Sequence, residues 1–184
     1  MRLSIRRIVS ALLAAAVLAA LASRQCGLWP AEKHLAVRGT VSRVYDGDTI
    51  EVEGVGKVRL LGIDTLDGFD PYRMRSQARW YGMTAQQVKH WADQASEFAR
   101  ERLHGKTVEV TQAGDMVDDY GRVLAYVHVD EEDEQGDFNL LMLKTGLAAQ
   151  YQTATHPRRS AYFEAEATAR AERRGLWQDA QIAR

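Results

Sequence analysis

The segment after residue 35 alternates apolar and polar positions in the way that short β-strands do. Apolar β-branched residues recur along it, and two turn signals interrupt it, at Asp46-Gly47 and at residues 54–56. Strands joined by such tight turns form a meander. The pattern therefore predicts three consecutive strands, over residues 36–45, 48–53 and 57–63.

A helical pattern begins at Thr84 and runs to about Leu103. Apolar residues recur there at the spacing of one helix face, Thr84 and Gln87 form a capping-box pattern, and Gly105 lies just past the end. By contrast, residues 66–83 show no clean period. We expect them to form a loop that is both basic and aromatic, since it contains Tyr72, Arg73, Arg75, Arg79, Trp80 and Tyr81.

The rest of the chain predicts two more strands and two more helices. The stretches "KTVEVTQ" and "RVLAYVHV" alternate as strands do, with a turn-rich connection between them. The stretch "FNLLMLKTG" predicts a short helix with Asn139 as its N-cap, and residues 158–175 predict a final helix. The acidic run over residues 130–137 predicts a solvated loop, because like charges need water around them.

Five short strands and about three helices indicate an α+β protein that is mainly β. Their order favours a five-stranded OB-type barrel with the helices packed outside it. An open α+β sandwich is the alternative arrangement of the same elements. We expect this domain to span residues 36–178.

The N-terminal segment has the composition of a targeting sequence. Arginines precede an uninterrupted apolar run over residues 8–22, which ends in a small-residue pattern typical of a cleavage site. We therefore expect residues 1–22 to be a signal peptide or a membrane anchor, and residues 23–35 to be a linker. Either interpretation places the domain outside the cytoplasm: periplasmic, secreted or anchored to the outer face of the membrane. Cys26 is the only cysteine, so no intrachain disulfide can form.

The overall charge does not indicate a nucleic-acid-binding protein. The chain has 24 basic and 25 acidic residues, and loss of the three arginines before residue 22 would leave 21 basic residues. The field of the whole protein would therefore not attract a polyanion. Such a partner would have to bind a local basic patch.

Two aspartates lie at the ends of predicted strands. Asp48 begins the second strand and Asp64 ends the third, so a hairpin would bring both carboxylates to one end of the sheet. Carboxylate, carbonyl and water oxygens are the ligands that a hard cation such as Ca²⁺ accepts in loose geometry. The alternative is that each aspartate caps a turn. A calcium-hand loop is excluded, because its ligand spacing is absent.

Two arginines accompany these carboxylates. Arg59 lies within the apolar strand "VRLLGI", where arginine is rare unless it is paired, and Arg122 follows the turn "DDYG". A guanidinium binds a phosphate through two parallel hydrogen bonds better than an ammonium does. The alternatives are a structural ion pair for Arg59 and an exposed position at the rim for Arg122.

Three motifs in series carry a family resemblance. The stretches "YDGDTIEV", "VRLLGIDT" and "DDYGRVLAYV", together with the helix before Gly105 and the terminal "GLW", resemble the staphylococcal nuclease (thermonuclease) family over residues 37–177. The resemblance implies a monomeric calcium-dependent endonuclease. Such an enzyme hydrolyses DNA and RNA, single-stranded or frayed, with little sequence preference, and leaves 3′-phosphate ends.

The resemblance also implies roles for individual residues. It assigns the metal ligands to the carboxylates of Asp48 and Asp64 and to the backbone carbonyl of Thr65. It assigns the clamp on the scissile phosphate to Arg59 and Arg122. It implies that Tyr120 donates a hydrogen bond to a phosphate, that Tyr151 stacks on substrate, and that Asp67 is the general base or water-positioning carboxylate.

The chain departs from the family pattern next to the predicted metal site. The family usually has Thr-Pro-Glu where this chain has Thr65-Leu66-Asp67, so a rigid proline and one methylene are lost. Asp119 also stands where the family has a lysine. Asp70 is a substitute if Asp67 cannot reach the water. A catalytically weak OB-fold binding module is therefore the alternative function, and a structural surface protein is a third possibility.

Overall fold

The computed structural model describes residues 36–129, 136–151 and 155–181. The predicted leader and linker, Cys26 and most of the predicted acidic loop lie outside the described residues. Within them, no helix is both long enough and apolar enough to cross a membrane. The strands are β1 (Ala36–Val44), β2 (Thr49–Val52), β3 (Gly56–Leu60), β4 (Ile63–Asp64), β5 (Thr107–Val117), β6 (Val123–Val129) and β7 (Ala149–Gln150). The helices are α1 (Pro71–Tyr81), α2 (Ala85–Leu103), α3 (Phe138–Lys144) and α4 (Arg159–Ala171), followed by a 3₁₀ turn (Gly175–Gln178).

Five strands close into a barrel in the order β1-β2-β3-β6-β5. The β3–β6 pair is parallel, and β5 closes the barrel by pairing with β1. The short strands β4 and β7 form a separate two-stranded sheet. This architecture confirms the predicted OB-type barrel and excludes the open sandwich. The core contains the inward side chains of every barrel strand, together with residues of α2, α3 and α4.

The segment predicted to be a loop contains helix α1, so that prediction was wrong. Asp70 caps the helix by accepting hydrogen bonds from the N–H groups of Tyr72 and Arg73, Pro71 occupies the first turn, and Gly82 ends the helix in the left-handed conformation. None of the helical residues is buried. Because the periodic apolar signal comes from a buried face, a helix without a fully buried residue leaves little trace of it in the sequence.

Asn139 does not cap α3 as predicted. The N-cap is Asp137, whose side chain accepts a hydrogen bond from the N–H of Leu140. Asn139 is completely buried, and its side-chain oxygen accepts from the N–H of Val127 at 3.1 Å. Its side-chain amide donates to the carbonyls of Leu61 and Ala125. Asn139 therefore ties the β3–β4 turn to β6.

Replacing Asn139 with leucine should lower the free energy of unfolding by about 2–4 kcal/mol, because the N–H of Val127 and the carbonyl of Leu61 would lose their side-chain partner. The carbonyl of Ala125 would lose one of its two donors, since it also accepts from the N–H of Leu61. Urea denaturation of the two proteins measures this difference. Asn139→Asp is a useful comparison, since it keeps the acceptor for Val127 but loses the donor to the two carbonyls. A leucine variant as stable as the parent would contradict the bridging role.

The final helix is shorter than predicted. It ends at Ala171 because Arg173 and Gly175 both take positive φ angles, of 55° and 52°. The "GLW" stretch then forms the 3₁₀ turn, in which Leu176 and Trp177 are buried. They pack in a second apolar cluster outside the barrel with residues of α2 and α4.

Candidate active site

A cavity of about 570 Å³ opens where the β1–β2 turn, the β3–β4 turn and the β5–β6 turn come together. The structure places every residue of the predicted site on its wall, and their individual roles remain predictions. These residues are Asp48, Arg59, Asp64, Thr65, Asp67, Tyr120, Arg122 and Tyr151. The same cavity is also lined by Asp46, Asp70, Arg73 and Asp118.

Asp48 lies at the buried end of the cavity and is saturated with donors. Its Oδ2 accepts from the backbone N–H of Thr65 at 2.7 Å and from the Thr65 hydroxyl at 2.8 Å. Its Oδ1 accepts from the Thr49 hydroxyl and lies 3.1 Å from Arg59 Nη1. Burial alone would raise the pKa of Asp48, but Arg59 and the hydrogen bonds from Thr65 hold it below its ordinary value.

Arg59 bridges the two predicted metal carboxylates. The β2–β3 register pairs Thr49 with Arg59, which aims the guanidinium past the end of the hairpin. Its Nη2 donates to Asp64 Oδ1 at 2.7 Å, and its Nη1 contacts both Asp48 and the carbonyl of Ile63. Arg59 therefore forms the structural ion pairs that the alternative interpretation predicted for it. These ion pairs do not exclude a role with substrate, because the side chain still lines the cavity.

Asp46 belongs to the carboxylate cluster, although its place in a tight-turn dipeptide indicated only a turn residue. Its Oδ1 accepts from the N–H of Asp48 at 3.0 Å. Burial and the neighbouring charge of Asp48 raise the pKa of Asp46 to about 6. The same two causes raise the pKa of Asp64 to about 6, although Arg59 works against them. The signal that could have found Asp46 is the "DGDT" motif, in which a single glycine separates two carboxylates.

Two glycines allow the close packing behind these carboxylates. A Cβ on Gly47 would lie 2.8 Å from both Ala95 of α2 and Thr65, so the helix can approach the turn only if this residue is glycine. Gly62 has a φ of +81°, and a Cβ there would lie 2.4 Å from Nε2 of His156. Both glycines therefore set the positions of the aspartates that follow them along the chain.

Arg122 enters the cavity from the β5–β6 turn and is held in place by Asp118. Its Nε donates to Asp118 Oδ2 at 2.7 Å, and its Nη1 donates to the Thr49 hydroxyl at 3.3 Å. Its guanidinium lies 5.3 Å from the ring centre of Tyr120, which is 84% exposed. An arginine in this setting presents a charged group whose direction is already fixed.

The loop that carries Asp67 is anchored by packing, although it lacks the family's proline. Leu66 is buried in the second apolar cluster. The N–H of Asp67 donates to the side-chain oxygen of Gln77 in α1 at 2.8 Å. Asp67 Oδ1 accepts hydrogen bonds from the N–H groups of Phe69 and Asp70. Neither of these backbone hydrogen bonds uses the second carboxylate oxygen, Oδ2. Asp70 caps α1, so both aspartates also have a structural role.

Arg73 was not predicted as a site residue, yet α1 brings it to the cavity. Its Nη1 lies 3.5 Å from Asp67 Oδ2, and its Nη2 lies 3.9 Å from Asp64 Oδ1. The side chain is half exposed. The sequence indicated only that Arg73 belongs to a basic and aromatic segment. Its approach to the cavity depends on the direction of a helix that the sequence pattern did not show.

The comparison with protein families agrees with this geometry. The family described as staphylococcal nuclease homologue matches residues 57–179. The chain belongs to the staphylococcal nuclease family.

Several relatives of the chain are named nucleases. It is 30% identical over 150 residues to a micrococcal nuclease of Shigella flexneri, which covers 77% of this chain and 74% of that protein. It is 34% identical over 111 residues to a thermonuclease of Staphylococcus intermedius, covering 59% of this chain and 56% of that enzyme. An uncharacterized protein of Methanocaldococcus jannaschii is 31% identical over 157 residues, 79% of this chain and 74% of its own length.

The donor chemistry at the cavity fits a hard cation. In the described part of the chain, no group of three or more His, Cys, Asp or Glu side chains is arranged to hold a metal ion. The metal ligands predicted for this chain are two carboxylates, of Asp48 and Asp64, and the backbone carbonyl of Thr65. All of these ligands are oxygen atoms, which a hard cation prefers. The cavity also carries an excess of negative charge. Two arginines, Arg59 and Arg73, form ion pairs in this cluster. The acidic side chains that line it there are Asp46, Asp48, Asp64 and Asp67.

Proposed function

We propose that the protein is a calcium-dependent endonuclease that hydrolyses phosphodiester bonds of DNA and RNA with little sequence preference, leaving 3′-phosphate ends. Family membership and the named relatives support the nuclease activity itself. One observation carries the rest of the proposal. Two arginines, each fixed by a carboxylate, line the same cavity as a cluster of acidic side chains with an excess of negative charge.

Asp48, Asp64 and the backbone carbonyl of Thr65 would hold the calcium ion. When bound, the ion would polarise a phosphate oxygen and neutralise part of its charge. The hydrogen bonds from Thr65 to Asp48 orient that carboxylate before any ligand arrives. The network therefore lowers the cost of assembling the site around a phosphate.

The arginines act on the charge that develops during hydrolysis. Water attacks the phosphorus, the bond to the 5′ oxygen breaks, and that oxygen leaves as a hydroxyl by taking a proton from solvent. Negative charge builds on the phosphoryl oxygens during this step. Arg59 of β3 and Arg122, just before β6, stabilise that charge. Asp67 Oδ2 takes the proton from the attacking water. Tyr120 donates to a phosphate oxygen and Tyr151 stacks on a base, as their exposed positions at the cavity allow.

The proposal includes the cellular location. The apolar run over residues 8–22 supports export, with cleavage of the leader or retention of it as an anchor. The enzyme would then work outside the cytoplasm as a monomer on single-stranded or frayed nucleic acid. Fractionation of cells that produce the full chain, with N-terminal sequencing of the product, tests this part.

Digestion assays test the activity. The purified protein should cleave single-stranded DNA, duplex DNA and RNA when Ca²⁺ is present, and a chelator should stop cleavage of all three. The products should resist 3′-end extension until a phosphatase removes the terminal phosphate. Nucleic-acid binding without cleavage in saturating Ca²⁺ would instead establish the binding-module alternative.

Replacing Asp67 with asparagine should lower kcat by about 100-fold, because the amide cannot take the proton. The variant keeps an oxygen that can accept from Phe69 and Asp70, so its thermal stability should change little. Steady-state kinetics on single-stranded DNA measures the effect. Asp70→Asn is the matched control, since asparagine also caps helices well. A loss confined to the Asp70 variant would move the role to Asp70.

Calcium affinity should fall as the pH is lowered through about 6. The raised pKa values of Asp46 and Asp64 mean that protons compete with the cation in this range, each displaced proton costing about tenfold in affinity per pH unit. Above pH 7 both carboxylates are ionised and the affinity should level off. Calorimetric titration with CaCl₂ between pH 5 and 8 measures this. Constant affinity across that range would contradict the assignment.

A further inference from the structure

Helix α1 exposes one face that the barrel does not use. Its partly buried side chains, Met74, Ala78 and Tyr81, pack against the second apolar cluster. The opposite face carries Tyr72, Arg73, Ser76, Arg79 and Trp80, all exposed. The helix therefore attaches to the body through a narrow stripe and presents the rest of its surface to solvent.

Aromatic rings are concentrated on this exposed surface. Phe69, just before the helix, is 76% exposed, Tyr72 is 75% exposed and Trp80 is 69% exposed. Exposed rings of this size mark an interaction site when they cluster. A tyrosine or tryptophan in the open offers a flat face on which a nucleobase can stack.

Positive charge accompanies the rings. The helix contains Arg73, Arg75 and Arg79 and no acidic residue. Arg73 contacts the carboxylates of the cavity, whereas within the described residues neither Arg75 nor Arg79 forms an ion pair. Three arginines without a helical counter-charge are notable in a chain whose formal net charge is −1. This is the local basic patch that a polyanionic partner would need.

The surface is continuous with the active-site cavity. Phe69, Asp70 and Arg73 line the cavity, and Tyr72 and Trp80 follow along the same helix. The helix has 11 residues, which corresponds to a length of about 16 Å. At roughly 3.4 Å per nucleotide, that length suits four or five stacked nucleotides of one strand.

We propose that the outer face of α1, with Phe69, binds a single-stranded segment of the nucleic-acid substrate as it leaves the active-site cavity. This inference rests on the proposed nuclease function. The rings stack on bases, which only an unpaired strand offers, and Arg75 and Arg79 pair with its phosphates. A nucleic acid fits better than a lipid surface, because the exposed face has arginine, serine and aromatic side chains but no aliphatic ones.

Two double variants test the proposal in the full chain: Tyr72→Ala with Trp80→Ala, and Arg75→Ala with Arg79→Ala. We expect the Kd for a labelled 12-nucleotide oligothymidylate, measured by fluorescence anisotropy with a chelator present, to rise at least tenfold in each. The arginine variant should also reduce the slope of log K against log salt by about 1.4. Hydrolysis of a nitrophenyl diester of one nucleotide should be unchanged, because that ester cannot extend along the helix.

A matched control variant is Phe163→Ala with Arg100→Ala, which removes an exposed ring from α4 and an exposed arginine from α2. It should bind the oligonucleotide like the parent. Equal affinity of the parent and all variants for the oligonucleotide would overturn the proposal. It would also be overturned if the α1 variants lost binding to anionic phospholipid vesicles but still bound the oligonucleotide like the parent. Loss of hydrolysis of the small ester would also overturn it, since the helix would then act through the shape of the cavity.

The outcomes also separate this proposal from the nuclease function. If the parent protein cleaves neither substrate but the double variants still lose oligonucleotide affinity, the surface on α1 is supported and the nuclease proposal fails. If the parent cleaves both substrates and the variants show an unchanged KM for single-stranded DNA, the nuclease stands and the surface is overturned.

Discussion

Replacing Asp48 with alanine should abolish measurable cleavage and lower the free energy of unfolding by about 3–5 kcal/mol. The carboxylate is buried and accepts from Thr49 and twice from Thr65, and it pairs with Arg59. Its loss leaves the donors of Thr49 and Thr65 without this acceptor. The largely buried guanidinium of Arg59 also loses one of its carboxylate partners. The substitution also removes a predicted calcium ligand, so activity and stability should fall together.

Nuclease assays and urea denaturation measure the two effects of the Asp48 variant. Asp48→Asn separates them, because the amide keeps the shape and one acceptor oxygen but loses the charge that the cation requires. We expect it to be inactive and more stable than the alanine variant. Asp93→Ala is the matched control, since Asp93 is half exposed and pairs with Lys89 at the surface. An Asp48→Ala protein with parental stability would contradict the geometry described above.

Replacing Arg122 with alanine should lower kcat by about 100- to 1,000-fold with little effect on thermal stability. The side chain is held by Asp118 and directed into the cavity, so it stabilises transition-state charge without first reorganising. Its ion pair is partly exposed, and such pairs contribute about 1 kcal/mol or less to folding. Hydrogen bonds from Arg122 also hold the pKa of Asp118 below its usual value, against the effect of burial.

Single-turnover kinetics with saturating Ca²⁺ measures the effect of the Arg122 substitution on the chemical step. Arg122→Lys should recover only part of the rate, because an ammonium keeps the charge but not the planar fork. Arg100→Ala serves as control, since Arg100 also pairs with a carboxylate one turn away but lies on the outer surface of α2. A parental kcat in the alanine variant would remove Arg122 from the proposed mechanism.

The departure from the family pattern at Leu66-Asp67 has a physical resolution in the structure. A proline would restrict the backbone locally, whereas Leu66 anchors the same loop by burial among side chains of α2 and the 3₁₀ turn. Gln77 of α1 adds a hydrogen bond to the N–H of Asp67. Helix α1 thus supports the loop that carries the proposed base. The loss of proline from the motif at residues 65–67 suggested a loosened loop. The packing of Leu66 and the hydrogen bond from Asp67 to Gln77 instead anchor it.

Local signals were sufficient for the barrel and for the family. Turn dipeptides and alternating apolar positions located the strands, and the order of "DGDT", "LLGIDT" and "DDYGR" led to the family. These features depend on neighbours in the chain, so they can be recognised without knowledge of distant contacts. The same applies to the capping box at Thr84, which the structure confirms.

Only the tertiary structure decided the surroundings of those residues. The bridge that Arg59 makes between Asp48 and Asp64, the burial that raises the pKa of Asp46, and the approach of Arg73 all depend on packing between segments far apart in the chain. Asn139 looked like a helix cap because its neighbours along the chain are those of a helix start, yet it is completely buried. The sequence by itself determined which side chains are available and, apart from those of α1, on which elements they lie. The closing of the barrel and the direction of α1 decided which of them meet, because burial and charge pairing arise only between groups that folding brings together.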